Sequence, residues 1–464
     1  MRPALSLYEA VISGCDERVF LDPATGKNRY FLDPFQSEGL FQRGSCTCGS
    51  LTPDGLRSAQ LFLELYPNQK YSSILKEQAD RLRYFFSSST EFEVFFGPSG
   101  SDMMYFPLFF SLLLHPHKPI VNIVSCPEEL GAGSRLAAEL KFHSEYTQFG
   151  DKIKKGALLA PHLTPHVEYL NARNEDGQIN LKRRDFINAI VSQNHHSSII
   201  GNLVFGSKSG IKDDLRIIDE MREDVMWVVD MCQFRSDENL IPNLLQKDAM
   251  VMVTGSKFFQ APPFCGALLV PRSWTDRLRR VKNTSAALIF RKLFSAYDIP
   301  SSLPELRNNL EFRENAGLRL RWNIALDEME AYVRWDPNET TEFIRQWNVA
   351  ISDRLKKSRL FELMPNQALT NDSIISFMVK INDVTLDNEQ LKLLFKTLVT
   401  SKYTLDGFTN VFIGQPVQYL DYSFIRLAIG SYTVRKQLES GARDFNNDML
   451  LIRLIEETAL ALFS

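Results

Sequence analysis

The order of elements along the chain predicts an α/β protein: a large domain with a mostly parallel sheet flanked by helices, plus a smaller α+β C-terminal domain. Three observations predict it. From about residue 73, apolar strands alternate with helical patterns at the spacing of successive strand–helix units. Those strands, such as "IVNIVS", "SIIGNLV" and "VMWVVD", are nearly unbroken apolar runs, as expected of parallel strands covered on both faces. After about residue 275 the alternation gives way to long helical patterns with fewer strands. At 464 residues the chain is too long for one ordinary domain. The pattern divides it into an N-terminal segment (1–75), the large domain (76–275) and the C-terminal domain (276–464).

The elements read in order as follows. The first 75 residues mix short helical patterns with turn-rich pieces, "LDPATGKNRY" and "RGSCTCGSLTPDG". A helix over "SILKEQADRLRYFF" leads to the strand "EFEVFFG". The next helix, "SDMMYFPLFFSLLL", has an apolar run too short to cross a membrane and fits a buried core helix. Strand "PIVNIVS", helix "GSRLAAELKF", the segment "HVEYLNA" and helix "LKRRDFINAIVSQ" follow. Then come strand "SIIGNLVFG", helix "DDLRIIDEMRED", strand "VMWVVDM" and the strand pair "AMVMVTGSK" and "CGALLVP". In the C-terminal domain "GLRLRWNIALDEMEAYVRWD" and 339–357 read as helices, "DSIISFMVKI" as a strand and "NEQLKLLFKTLVTS" as a helix. "FIRLAIGSY" and a final helix close the chain.

Hydrophobic residues make up 44% and charged residues 23%, the proportions of a soluble globular protein. With a formal charge of −3, no broad basic surface points to nucleic acid or anionic membrane. The N-terminus lacks the long apolar core of a secretory signal and carries acids that transit peptides avoid. Six cysteines in so long a chain make no disulfide framework, and Cys46 and Cys48 are too close together for a zinc ligand pair. The expected setting is reducing and cytoplasmic. Adjacent His195 and His196 would face apart on a strand, so no metal is expected there.

In open α/β sheets, ligands bind beyond the carboxyl ends of the strands, and three features fall there. "FFGPSGSD" (95–102) ends a strand, turns through Gly97-Pro98 and opens a helix at Ser99-Gly100-Ser101. Free N–H groups and small hydroxyls at a helix start hold a phosphate, although the stretch also fits a plain junction with Ser101 as N-cap. "WVVDMCQFR" sets Asp230 directly after an apolar strand, where a buried carboxylate needs a cation or hydrogen-bond partner. The other reading of Asp230 is a strand-end acid facing solvent. "VMVTGSKFFQAPPFCGALLVP" (251–271) places Lys257 in what otherwise reads as a buried hairpin. Desolvation there favours the neutral amine, which forms a Schiff base with a carbonyl; the plainer alternative is a solvated turn. An acid, a lysine and a phosphate cradle are together what pyridoxal 5'-phosphate needs.

Further motifs stand in order around these. Asp230-Met-Cys-Gln233 precedes Thr254-Gly-Ser-Lys257, and "PPFCGALLVP" follows. Upstream lie "YLNARNEDGQINLKRRDFI" and "SKSGIKDDL", with Ser207 in the polar position of an Asn-x-x-Gly-type turn; near the C-terminus lies "FIRLAIGSYTVRKQLES". Over roughly residues 85–440 the chain resembles the class V aminotransferase group of fold-type I pyridoxal-phosphate enzymes, which includes cysteine desulfurases, kynureninases and serine–glyoxylate transaminases. The resemblance implies that Lys257 carries the cofactor as a Schiff base and that Asp230 pairs with the pyridine nitrogen. It implies that Gln233 and Ser207 bond the phenolic oxygen, and that Ser99, Gly100, Ser101, Thr254 and Ser256 hold the phosphate. Arg426 would grip the substrate α-carboxylate; outside the resemblance it reads as a strand-edge arginine in a surface ion pair. A homodimer with sites at its interface is also implied, with an N-terminal segment reaching the active site and Cys46 and Cys48 able to touch substrate.

The sequence departs from this group at two places. Where relatives stack a histidine or aromatic residue on the cofactor ring, "NIVSCPEELGAGS" offers Glu129, Leu130 or Gly131, so Glu129 is a candidate for the ring face or for acid/base work. Residues 266–464 contain no cysteine, so the mobile cysteine of a desulfurase has no counterpart. "HPHKP" (115–119) places Lys118 before the acid-bearing strand and marks only a helix end. With Arg426 on the carboxylate, loss of the Cα proton is favoured over loss of CO2, and Lys257 is the natural base. The expected function is a pyridoxal-phosphate enzyme of α-amino acids: an aminotransferase first, a β-eliminating lyase (C–S lyase or kynureninase-like) second. A degenerate binding protein of the same fold would have lost Lys257 or Asp230, and both are kept.

Overall fold

The computed structural model describes all residues except 1–4, 47–48, 87–90, 132, 176, 222–224, 234–238, 365–371, 404–406, 420–421 and 442. Its strands are β1 (Leu40–Arg43), β2 (Phe92–Gly97), β3 (Ile120–Ser125), β4 (His166–Leu170), β5 (Ser198–Val204), β6 (Val225–Asp230) and β7 (Met250–Thr254). Next come β8 (Gly266–Pro271), β9 (Phe361–Leu363), β10 (Ile374–Ile381), β11 (Val384–Thr385), β12 (Asn410–Tyr419) and β13 (Tyr422–Ala428).

The large sheet has the order β2-β8-β7-β6-β5-β3-β4. Neighbours from β7 through to β4 pair in parallel, while β8 runs antiparallel to both β7 and β2. Every residue of β3, β5 and β8 is buried, which is why these strands read as continuous apolar runs. Helix Tyr105–Leu114 lies under this sheet with almost its whole surface buried, the core helix that its sequence suggests. A second sheet, β1-β12-β13-β10-β11 with β9 also on β10, is antiparallel except that β1 pairs in parallel with β12. The N-terminal segment therefore contributes a strand to a sheet otherwise built from the last hundred-odd residues. Helix Ala316–Tyr332 joins the two parts: it packs on helices Pro53–Leu65 and Tyr71–Phe85, and Trp322 Nε1 donates to the Gly266 carbonyl of β8 at 3.1 Å.

Three segments differ from their sequence pattern. The helix expected over "DDLRIIDEMRED" shrinks to Ile217–Glu220. Its opening acids are drawn elsewhere: Asp213 accepts from Arg183 Nε at 2.8 Å and from the Val204 amide at 2.8 Å, and Asp214 accepts from Arg216 Nε at 2.8 Å. β12 was hidden by Gly414 and Pro416, residues that weaken a strand reading, and the structure absorbs them in a bulge between Gly414 and Val417. His195 and His196 precede β5 instead of lying on it, with ring centroids 4.1 Å apart.

The seam between N- and C-terminal segments rests on one buried ion pair. Arg43 of β1 donates from Nε and Nη2 to the two carboxylate oxygens of Asp448 at 2.6 and 2.7 Å, and Trp347 Nε1 donates to the same carboxylate at 3.1 Å. Removing one partner of such a pair leaves a buried charge uncompensated. Asp448→Ala is therefore expected to lower unfolding free energy by about 3–5 kcal/mol, read as a fall in the urea midpoint.

Candidate active site

The carboxyl ends of β5, β6 and β7, the turn after β2 and the bulged edge of β12 and β13 converge on a cavity of about 380 Å³. Lys257 enters it from the connection between β7 and β8. That connection is pinned by Thr254 Oγ1 donating to the Cys265 carbonyl at 2.5 Å and by the Gly255 amide donating to the same oxygen at 3.2 Å. Gly255 is packed so closely on the long helix that a Cβ there would meet Ala325 Cβ at 2.2 Å. Lys257 itself is half-buried, and among the described residues no carboxylate pairs with its amine.

Asp230, the last residue of β6, is half-buried and accepts from the Cys232 amide at 2.8 Å. Burial, reinforced by Asp230 and opposed by Lys257, pushes the Cys232 thiol well above its ordinary value. Gln233 is buried and donates from Nε2 to the Cys46 carbonyl at 3.1 Å. Cys46 lines the cavity; Cys48 lies outside the described residues.

On the β2 side, Ser99, Gly100 and Ser101 begin the short helix Gly100–Met103. Ser99 Oγ donates to Asp102 at 2.6 Å and accepts from Arg18 Nη2 at 3.0 Å. Arg18 is paired with Asp16 through Nε at 2.7 Å and Nη2 at 2.6 Å, so the N-terminal segment delivers a cation to this turn. Ser101 Oγ lies 3.2 Å from Ser134 Oγ, and His143 Nε2 lies 3.2 Å from Asp102 Oδ1. Thr254 Oγ1 and Ser256 Oγ, 2.9 Å apart, face the same space.

Glu129 follows β3, is 2% exposed, and lines the wall beside Leu130 and Gly131. Its carboxylate accepts from the Ser207 hydroxyl, from the Ser209 amide at 2.7 Å and from Ser209 Oγ at 2.6 Å, with Arg173 Nε 3.7 Å away. Ser207 Oγ in turn accepts from the Ile211 amide at 2.9 Å. Between the two serines, Lys208 extends into the cavity. Its amine is pushed down to about 8, first by burial and then by Arg426 and Lys257, against the pull of Glu129.

Arg426 on β13 is 2% exposed. Its Nη2 donates to the Gln415 carbonyl, which the β12 bulge brings to it at 3.1 Å. Its Nε and Nη1 are buried and have no acceptor among the described residues. Leaving charged donors unsatisfied in the interior costs more than the roughly 1–3 kcal/mol of a neutral group, so the geometry suits an anion docked against this fork.

No protein family and no curated protein matches the sequence. Solved structures do match in three dimensions. A NifS-like protein from Rickettsia africae gives a TM-score of 0.56 at 11% identity, over 90% of this chain and 99% of that one. The cysteine desulfurase CsdA from Escherichia coli gives 0.55 at 14% identity, over 96% and 100%. A phosphoserine aminotransferase, SerC, from Cytophaga hutchinsonii gives 0.51 at 14% identity, over 87% and 99%. The chain has their fold. It is the fold-type I architecture that the sequence resemblance implies, and identities of 11–14% carry the likeness as far as the fold.

All eleven residues singled out from sequence, Ser99, Gly100, Ser101, Glu129, Ser207, Asp230, Gln233, Thr254, Ser256, Lys257 and Arg426, line this one cavity. Sequence reasoning missed Arg18, His143, Ser134 and Lys208. Only Lys208 carried a local signal, since it sits inside the "SKSG" turn already read for Ser207.

The turn at 207–211 depends on Glu129. In Glu129→Ala the Arg173 guanidinium loses its acidic neighbour and the Ser209 amide its acceptor. The expected result is a stability loss of about 3 kcal/mol or more by urea denaturation. In hydrogen-exchange mass spectrometry, a peptide covering 207–211 exchanges at least about tenfold faster.

Proposed function

We propose that the cavity holds pyridoxal 5'-phosphate on Lys257 and that the protein is an enzyme of α-amino acids, acting as an aminotransferase. The observation that carries this reading is the convergence on one cavity of Lys257, Asp230 and a buried Arg426 whose Nε and Nη1 have no acceptor among the described residues. The similar solved structures, an aminotransferase and a cysteine desulfurase among them, support it.

The residues present fit the group. Ser99, Gly100 and Ser101, with Thr254, Ser256 and the Arg18 guanidinium, would hold the phosphate. Asp230 would face the pyridine nitrogen, Ser207 and Gln233 the phenolic oxygen, and Glu129 the same wall. When bound, pyridoxal phosphate supplies the electron sink that accepts the pair left as a bond to Cα breaks. Asp230 holds a proton at the nitrogen it faces, because a carboxylate beside that atom stabilises the protonated form. Arg426 would bind the substrate α-carboxylate through its guanidinium, whose neighbouring N–H donors can meet two carboxylate oxygens. A carboxylate so held stays on Cα, and the group that leaves is the proton. Lys257 Nζ takes that proton and can return it.

We further propose a homodimer in a reducing, cytoplasmic setting, as the sequence resemblance implies. Among the described residues no helix is long and apolar enough to cross a membrane. Light scattering is expected to give twice the chain mass of 53.2 kDa.

Protein incubated with pyridoxal phosphate is expected to develop a visible absorbance band that Lys257→Ala lacks. Wild-type protein that stays colourless defeats the reading. Conversion of the cofactor to its amine form by an amino acid, reversed by a 2-oxo acid, identifies transamination, whereas release of pyruvate with ammonia identifies β-elimination. Arg426→Lys loses the bidentate fork, and kcat/KM is expected to fall about 30-fold, the equivalent of about 2 kcal/mol for a charged hydrogen bond.

A further inference from the structure

We infer that Lys208 reads a second anionic group on the substrate, so that the amino acid taken by this site has an acidic side chain. The inference rests on the cofactor reading above and extends it to the substrate class: a dicarboxylic amino acid, or one with a sulfinate or phosphate in place of the second carboxylate.

Charge in the cavity leads to it. Three cations, Lys208, Lys257 and Arg426, line that cavity, and none of them has an ion-pair partner among the described residues. Two of the three are accounted for under that reading: Lys257 by the cofactor, and Arg426 by one carboxylate. Lys208 is left over. The acid that faces it, Glu129, is already engaged by Ser207, Ser209 and Arg173, and Asp230 stands on the β6 side with the Cys232 amide on it. Lys208 and Arg426 line the same cavity, which Gln415 to Val417 of the β12 bulge also line.

The turn is built to hold it there. Gly206 and Gly210 take φ values of 90° and 89°, a region that favours glycine, and the serines on either side of Lys208 both bond Glu129. A substrate with a neutral side chain would leave an ammonium beside a guanidinium with no counter-ion, in a site that is largely desolvated. A second anion relieves both charges at once. The exposed Arg29 and Lys155 at the rim add a positive field that draws such a dianion in.

The test uses full-length protein loaded with pyridoxal phosphate, as wild type, Lys208→Met and Lys208→Arg. Calorimetry compares maleate and succinate, which have no amine to react, with propionate. Single-turnover absorbance compares aspartate, glutamate and O-phosphoserine with alanine. Wild type is expected to bind at least one dicarboxylate about tenfold or more tighter than propionate, and to favour an acidic donor over alanine by a similar factor in kcat/KM. Lys208→Met should bring both ratios close to one through KM while keeping the visible band, and Lys208→Arg should restore part of the preference. Equal binding of dicarboxylates and propionate overturns the inference. So does an equal loss on all donors in Lys208→Met, or a shifted titration of the cofactor band with the donor preference intact, which would assign the amine to the cofactor. Colourless wild type defeats the cofactor reading; coloured wild type without acidic preference defeats this inference alone.

Discussion

A guanidinium buried with two of its nitrogens unanswered among the described residues is the constraint around which this site is arranged. Arg426 sits in the middle of an antiparallel pairing, across from Ser376 on one side and Gly414 on the other, so its backbone is fixed from both sides. A backbone carbonyl answers Nη2, while Nε and Nη1 are buried with no acceptor among the described residues. Buried unpaired charge is costly, and here it stands in the wall of a cavity lined by further cations.

Everything around the fork fixes geometry. The bulge at Gly414–Val417 turns the Gln415 carbonyl toward it; the Cys265 carbonyl and the Gly255–Ala325 contact fix the connection that carries Lys257. The Glu129 carboxylate fixes the turn that carries Lys208. Lys257 and Asp230 come from the large sheet, Arg426 from the small one, and Arg18 from the N-terminal segment. The long helix Ala316–Tyr332 holds these parts in register through Trp322 and through Arg321, which donates from Nε to the Phe264 carbonyl at 2.8 Å and from Nη2 to the Gly14 carbonyl at 2.9 Å.

Much of this was legible in the sequence because it is encoded locally. Strands buried on both faces announce themselves as apolar runs, and Asp230 and Lys257 stand at fixed offsets from the ends of two of them. The residues that escaped notice are those whose position is set by tertiary contact. Arg18 reaches Ser99 across 81 positions, and His143 reaches Asp102 across 41; no window of sequence contains either pair. β12 was obscured by a glycine and a proline that make its bulge, so the feature that hid the strand is the one that serves the site. The shortened helix at Ile217–Glu220 shows the converse, where good helix formers lose to acids recruited by Arg183 and the β5 backbone.

The cysteines bear on which reaction this site suits. Sulfur transfer by a protein thiol needs a thiolate on a residue that can move. Cys232 is the thiol packed against the Gly100 turn, where a Cβ on that glycine would lie 3.2 Å from its sulfur, and burial and Asp230 together hold it protonated. Cys15, Cys126 and Cys265 are buried, with thiols pushed up chiefly by burial. What the site uses of Cys46 is its carbonyl, which accepts from Gln233. Beyond residue 265 the sequence has no cysteine that a loop could carry in. Among the described residues the cavity is also lined by the amines of Lys257 and Lys208, and amines move protons and hold anions. Proton transfer at Cα, as proposed above, asks no such thiol of the site.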